Sequence, residues 1–244
     1  MPKLLPFLFI VLLLSCKGKK GLDITEEEID EYVASCLDTS KIYDILAGLR
    51  YSRNTETYQV TEYSKYDTAV LNNSQEITEY STIMMNYFYK EGLPVYIEEF
   101  KYMYEPDNVE VIERKIYLDG YDIIKAYERR AEFETEIDGK EFEEVTLDIA
   151  DYDLERPERA IHQEGEFELK FDDFLIINPE SYLILENKES GYGVALFIIE
   201  GDMLLDELYS EPKNYQGKTI EVFHEFMMMN GIERMIYRGG IVKE

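Results

Sequence analysis

Apolar positions along the 244-residue chain follow three rhythms, and each predicts a different kind of element. The first is a continuous run from Leu4 to Leu14, broken only by Pro6. These eleven positions fall short of the roughly 20 that a bilayer core requires, so residues 1–15 are expected to be a signal segment and not a span. The second rhythm is helical. Ile29, Val33, Cys36 and Leu37 share one helix face, and Thr25 followed by Glu26-Glu27-Glu28 reads as a capping box with acids at the favourable end of the helix dipole. The spacing predicts a helix from residue 26 to 37, and a second from 40 to 47 that ends near Gly48.

The third rhythm has period two and dominates the rest. Phe88-Tyr89-Lys90-Glu91-Gly92-Leu93-Pro94-Val95 aligns with Ile116-Tyr117-Leu118-Asp119-Gly120-Tyr121-Asp122-Ile123, 28 residues later. The acid-Gly pair at the centre of each reads as a two-residue hairpin turn, where both positions need positive φ. Asp138-Gly139 is a third candidate. It would join Ala131, Phe133, Thr135 and Ile137, alternating with Glu132, Glu134 and Glu136, to a strand through Val145, Leu147 and Ile149. Such alternation predicts a sheet with one dry and one acidic, wet face, and it makes Glu132, Glu134 and Glu136 a candidate binding row. Ser52-Arg53-Asn54 and Asn72-Asn73-Ser74 read as turns. Residues 25–150 are thus expected to form a helix and an antiparallel meander.

A charged stretch, residues 151–165, reads as a connector. Five strands are expected beyond it, near 166–177, 181–187, 192–200, 218–228 and 232–242, with a short helix from Met203 to Tyr209 and an Asn230-Gly231 hairpin turn. The fold class expected is therefore mainly β (α+β): a short N-terminal helical segment, a meander sheet, and a five-stranded β-domain over 166–244. Five strands with a helix between the third and fourth fit an OB-like barrel, and Tyr215-Gln216-Gly217-Lys218-Thr219-Ile220-Glu221-Val222 looks like a strand start of such barrels. A plain extension of the first sheet is the alternative.

Charge and composition narrow the chemistry. A formal net charge of −27 repels phosphate backbones and argues against nucleic acid as a partner. The content of 45% hydrophobic and 14% aromatic residues is enough to build a core. Only Cys16, Cys36, His162 and His224 are available for a Cys/His zinc site, and their spacing forms none. Cys36, on the apolar helix face, is expected to be a buried inert thiol. Asp151, Asp153 and Glu155 alternate like oxygen ligands, but Leu154, Arg156 and Pro157 break the EF-hand pattern, leaving them weak metal candidates. His224 and Glu225 adjoin in a strand and so point to opposite faces. No P-loop, nucleophile elbow or dinucleotide fingerprint occurs, and no cofactor is expected. The 52 acids make a chance carboxylate pair unremarkable as a sign of glycosidase chemistry.

Two resemblances complete the reading. Lys3, the apolar run, and Leu13-Leu14-Ser15-Cys16 resemble a bacterial lipoprotein signal peptide with its lipobox. The resemblance implies cleavage before Cys16, acylation of Cys16, a lipidated tether over residues 16–24, and attachment to a membrane through that anchor. Lys17-Gly18-Lys19-Lys20 lacks both the acidic surface-export pattern of Bacteroidota lipoproteins and an Asp after the cysteine, which favours the outer membrane, facing the periplasm. The hairpin repeats are similar to uncharacterised Bacteroidota lipoproteins that repeat a Tyr-x-acid-Gly unit. Asp67-Thr68-Ala69 resembles the periplasmic O-glycosylation pattern of that group, making Thr68 a candidate acceptor. The function expected is a non-enzymatic binding or scaffold module with a protein partner in the envelope. An acidic inhibitor of a basic envelope-active enzyme such as lysozyme is the runner-up, and an enzyme with raised-pKa carboxylates in a closed pocket the third.

Overall fold

The computed structural model describes residues 21–38, 43–105 and 108–243. The signal segment, Cys16 and the tether as far as Lys20 lie outside the described residues. Helix α1 (Glu26–Cys36) begins as expected, with the Thr25 side chain accepting from the Glu28 backbone N–H and the Glu28 carboxylate accepting from that of Thr25. The described part of the second expected helix is instead strand β1 (Asp44–Ala47), which pairs with the far half of β3 (Glu56–Lys65). Pairing to an open strand edge wins there over a short helical pattern.

Strands β2 (Tyr51–Arg53), β3, β4 (Thr68–Ile77), β5 (Ser81–Lys90), β6 (Leu93–Glu105), β7 (Asn108–Asp119) and β8 (Asp122–Ala131) form an antiparallel meander. Tyr66-Asp67 and Glu91-Gly92 close two of its hairpins, with both residues of each pair at positive φ. In the β7–β8 hairpin the turn sits one residue later than the repeat suggests, at Gly120-Tyr121. Only Gly120, at φ 67°, takes the left-handed region there. Asn72-Asn73-Ser74 is no turn but the middle of β4, and Asn72 and Ser74 are buried.

Beyond β8 the expected alternating strand gives way to helix α2 (Glu134–Ile137), which leaves Phe133 exposed and buries Ile137 beside Val111 and Ala131. Glu132, Glu134 and Glu136 therefore do not form a row on a sheet face; they lie exposed around this turn. Asp138-Gly139 follows α2 and is not a hairpin, and the expected partner strand shrinks to β9 (Glu143–Glu144). The next segment carries Val145, Leu147 and Ile149 across the sheet, packed against Tyr87, Ile97, Ile116 and Leu118. α1 covers the opposite face through Ile29 and Cys36 against Phe88, Tyr96 and Tyr117. The expected wet face is thus roofed.

The charged stretch 151–165 contains helix α3 (Arg156–His162), which lies along β3 and buries Pro157, Ala160 and Ile161. After it come β10 (Lys170–Ile177), β11 (Glu180–Glu186), β12 (Gly193–Phe197), α4 (Met203–Ser210), α5 (Pro212–Tyr215), β13 (Ile220–Met229) and β14 (Ile232–Val242). β10, β11 and β12 pair in turn, β12 runs parallel to β14, and β14 pairs with β13. The start of β13 returns to β10 through the Lys170–Thr219 bridge and the Ile220 N–H donating to the Leu169 carbonyl. That is the order of an OB-like barrel. It is joined to the meander, since Gly193 of β12 pairs with Ser52 of β2. One core also runs through both: Phe167 packs on Tyr51, Tyr58 and Tyr192, with ring centroids 4.6, 5.2 and 5.0 Å away.

Candidate functional site

Period-two geometry sends Tyr58 of β3, Ser74 and Glu76 of β4, Met85 and Tyr87 of β5, Glu99 and Lys101 of β6 and Arg114 of β7 to one face of the meander. The segment from Leu147 to Arg156 roofs that face. Between floor and roof is a cleft of about 420 Å³ lined by these residues.

Charges inside the cleft are held in register. Glu99, Arg114 and Glu128 sit directly opposite one another on β6, β7 and β8. The Arg114 guanidinium donates to Glu99 at 2.9 Å and to Glu128 at 2.7 Å, and the Tyr152 hydroxyl of the roof donates to Glu99 at 3.2 Å. Glu99 is 5% exposed, so this carboxylate is paired where water does not reach it. At the other end Arg156 pairs with Glu76, donates to the Tyr192 hydroxyl at 2.9 Å, and lies 4.1 Å from the centroid of the Tyr58 ring. Burial works against the Arg156 charge but the Glu76 carboxylate outweighs it, so the guanidinium is held more firmly protonated than usual.

Asp153 receives two hydrogen bonds from Arg159, and these bonds hold its carboxyl below the usual range. For Glu56, burial pushes the carboxyl up, but hydrogen bonds from Tyr192 and Arg53 prevail and leave it lowered. Burial raises the Tyr192 hydroxyl to about 12.

Tyr58 is the exception to this pairing. Its side chain is 2% exposed, and the hydroxyl lies against the Ser74 side chain without completing a hydrogen bond of good geometry. Burial holds it strongly protonated, so its O–H donor and acceptor lone pairs lie just behind the cleft wall, beside Ser74.

No protein-family model, curated protein or solved structure matches this chain. The residues themselves carry the argument. Among the described residues no group of three or more His, Cys, Asp and Glu side chains is arranged to hold a metal ion. Asp151 and Asp153 of the weak metal triplet line the cleft, whereas Glu155 is exposed outside it. Thr68 is exposed at the start of β4, His162 is exposed at the end of α3, and Cys36 is on the buried face of α1 with a free thiol. His224 lies edge-on to Phe226, and its burial favours the neutral ring.

Tyr58, Ser74, Glu99, Arg114 and Arg156 were not among the residues expected from sequence. A signal for one of them was present: Arg114 lies between Ile112 and Ile116 on the same strand face, whereas Glu99 stands between Ile97 and the charged Lys101. A charge at such a position points inward.

Proposed function

We propose that this protein is a non-enzymatic binding module of a bacterial envelope, anchored by lipid on Cys16 to the outer membrane and facing the periplasm. In this reading the Tyr58 cleft holds a polar group presented by an envelope partner. The observation that carries the reading is the Tyr58 hydroxyl: a buried polar group without a partner costs about 1–3 kcal/mol, and a ligand atom that hydrogen-bonds to it would recover that cost. Binding is favoured over catalysis because three of the cleft's four carboxylates, Glu76, Glu99 and Asp153, are each tied to an arginine, leaving Asp151 alone, and a general base must be free to take a proton.

The lipid part is tested by expressing the chain with its own leader and following incorporation of a clickable fatty acid. Label and membrane retention in the wild type, both lost in Cys16→Ala, is the expected result; equal retention without label contradicts the anchor. The binding part is tested by cross-linking in cells and mass spectrometry. A partner recovered with the wild type and lost with Arg156→Gln is expected, and identical recovery from both contradicts this site.

A second reading, an acidic inhibitor of a basic envelope-active enzyme, rests on the net charge of −27. It predicts an association that weakens steeply with salt, because the Debye length falls below about 8 Å above physiological ionic strength.

A further inference from the structure

The charges that line the Tyr58 cleft do not all cancel within the protein. Its cations are Lys101, Arg114 and Arg156, and its carboxylates are Glu76, Glu99, Asp151 and Asp153. Arg114 takes Glu99, Arg156 takes Glu76, and Arg159, which does not line the cleft, takes Asp153. One group of each sign is left. Among the described residues neither Lys101 nor Asp151 has an ion-pair partner or a side-chain hydrogen bond.

Strand register explains why Lys101 stays unmatched. On β6 it stands directly opposite Ile83 of β5 and Ile112 of β7, so neither neighbouring strand sets a carboxylate beside it. The acids closest on that face are Glu99, two residues along the same strand, and Glu110, diagonal to it on β7. Arg114 holds the first and Arg130 the second. The half-buried ammonium of the cleft floor thus keeps three N–H donors to offer. Asp151 comes from the opposite wall. It ends the turn Ile149–Asp151, which the Asp148 carboxylate caps by accepting from the Ala150 N–H.

A simple anion in this cleft would leave Asp151 unmatched, and a simple cation would leave Lys101. A group carrying one charge of each sign matches both. A phosphate monoester, at about −1.5 to −2, exceeds the single unmatched cation, whereas a carboxylate equals it. The cleft volume of about 420 Å³ falls within the roughly 300–1,000 Å³ of small-ligand pockets.

We propose that the group held in the Tyr58 cleft is a zwitterionic peptide, its carboxylate bound by Lys101 on the floor and its ammonium by Asp151 on the roof. The inference rests on the reading of this cleft as the binding site and names the chemistry of what the envelope partner presents there.

The test uses the full chain with glycylglycine and triglycine as probes, two spacings of the charged ends, read by saturation-transfer NMR at pH 7 in physiological salt. Saturable binding of at least one is expected. Its N-acetylated form, which lacks the ammonium, and its amidated form, which lacks the carboxylate, should each bind at least tenfold more weakly. Lys101→Met should weaken the free peptide at least tenfold and abolish the preference over the amide. Asp151→Asn should do the same for the preference over the N-acetyl form. Asp151 is exposed, so its variant keeps the test valid even if Lys101→Met does not fold. The proposal is overturned if the blocked peptides bind as well as the free one, if Asp151→Asn binds as the wild type does, or if O-phosphoethanolamine binds more tightly than either peptide. If neither peptide binds but partner capture still depends on Arg156, the zwitterion alone is refuted. If capture does not depend on Arg156 either, the reading of the cleft falls with it.

Discussion

The barrel end and the meander face bury quite different side chains, although one sheet connects them. Inside the barrel, Leu169, Phe171, Leu183, Leu185, Leu196, Ile220 and Val222 are all essentially inaccessible and all apolar. On the cleft face of the meander the buried set includes Tyr58, Asn72, Ser74 and Glu99, with Arg114 largely covered. Polar burial is costly unless hydrogen bonds offset it. The barrel end also buries Gln163 and Asn187, but both are hydrogen-bonded, Gln163 to the Val222 backbone and Asn187 to the Gly165 carbonyl and the Glu189 N–H; the meander differs in keeping oxygens whose hydrogen bonding is incomplete. The two orphan atoms with oxygen chemistry, Tyr58 Oη and Asn72 Oδ1, both lie on the meander side.

Mutations should separate the two regions. The largest effect is expected from Phe167→Ala, which empties the aromatic cluster shared by barrel and meander; removing a buried Phe typically costs about 3–5 kcal/mol. One cooperative transition moving as a whole in thermal unfolding is expected, and two separated transitions would show that the regions melt independently. Next comes Arg114→Met, which leaves Glu99 buried without its cation and should cost about 3 kcal/mol by denaturant titration. Adding Glu99→Leu should recover most of that loss, because the stranded charge is gone; no recovery would place the stability elsewhere in the triad.

Tyr58→Phe is expected to act in the opposite direction. Removing an unpartnered hydroxyl should raise stability by about 1 kcal/mol while weakening capture of the envelope partner. A loss of stability would mean that the hydroxyl is already satisfied.

The smallest effect concerns acid. Arg159 holds the Asp153 carboxyl below its ordinary value, so the stabilisation is fully present above the unfolded-state value near 3.9 and is lost as pH falls through the lower folded-state value. Asp153→Asn should flatten that part of the stability profile below about pH 4. An unchanged acid limb would contradict the pairing.

The same contrast governs what could be read without a structure. The last four barrel strands, α4 and the Asn230-Gly231 turn carry strong local signals, an apolar alternation ended by turn residues, and they fold where expected, whereas the first strand, expected from 166, begins at Lys170 after a 3-10 turn at Gly165–Phe167. The capping box at Thr25 is equally local. The cleft is not. Asn72 and Ser74 resembled turn residues because polar runs normally stay in water, and their burial depends on a roof formed more than 70 residues later in the chain. Glu134 and Glu136 alternated like strand residues, yet the single buried Ile137 suffices to wind a helical turn. Arg114 was visible as an inward charge, but its pairing with Glu99 and Glu128 required the register of three strands.

The most direct test of the central claim, that the Tyr58 cleft is where this protein holds its partner, is photo-cross-linking in cells. Met85 lies on the cleft floor, and Met85→benzoylphenylalanine would be compared with the same substitution at exposed Glu136, each in the full chain with its own leader. A discrete adduct from position 85 that disappears when Arg156→Gln is added, with none of the same mass from position 136, is the expected result. An identical adduct from both positions, or an adduct from position 136 alone, would contradict it.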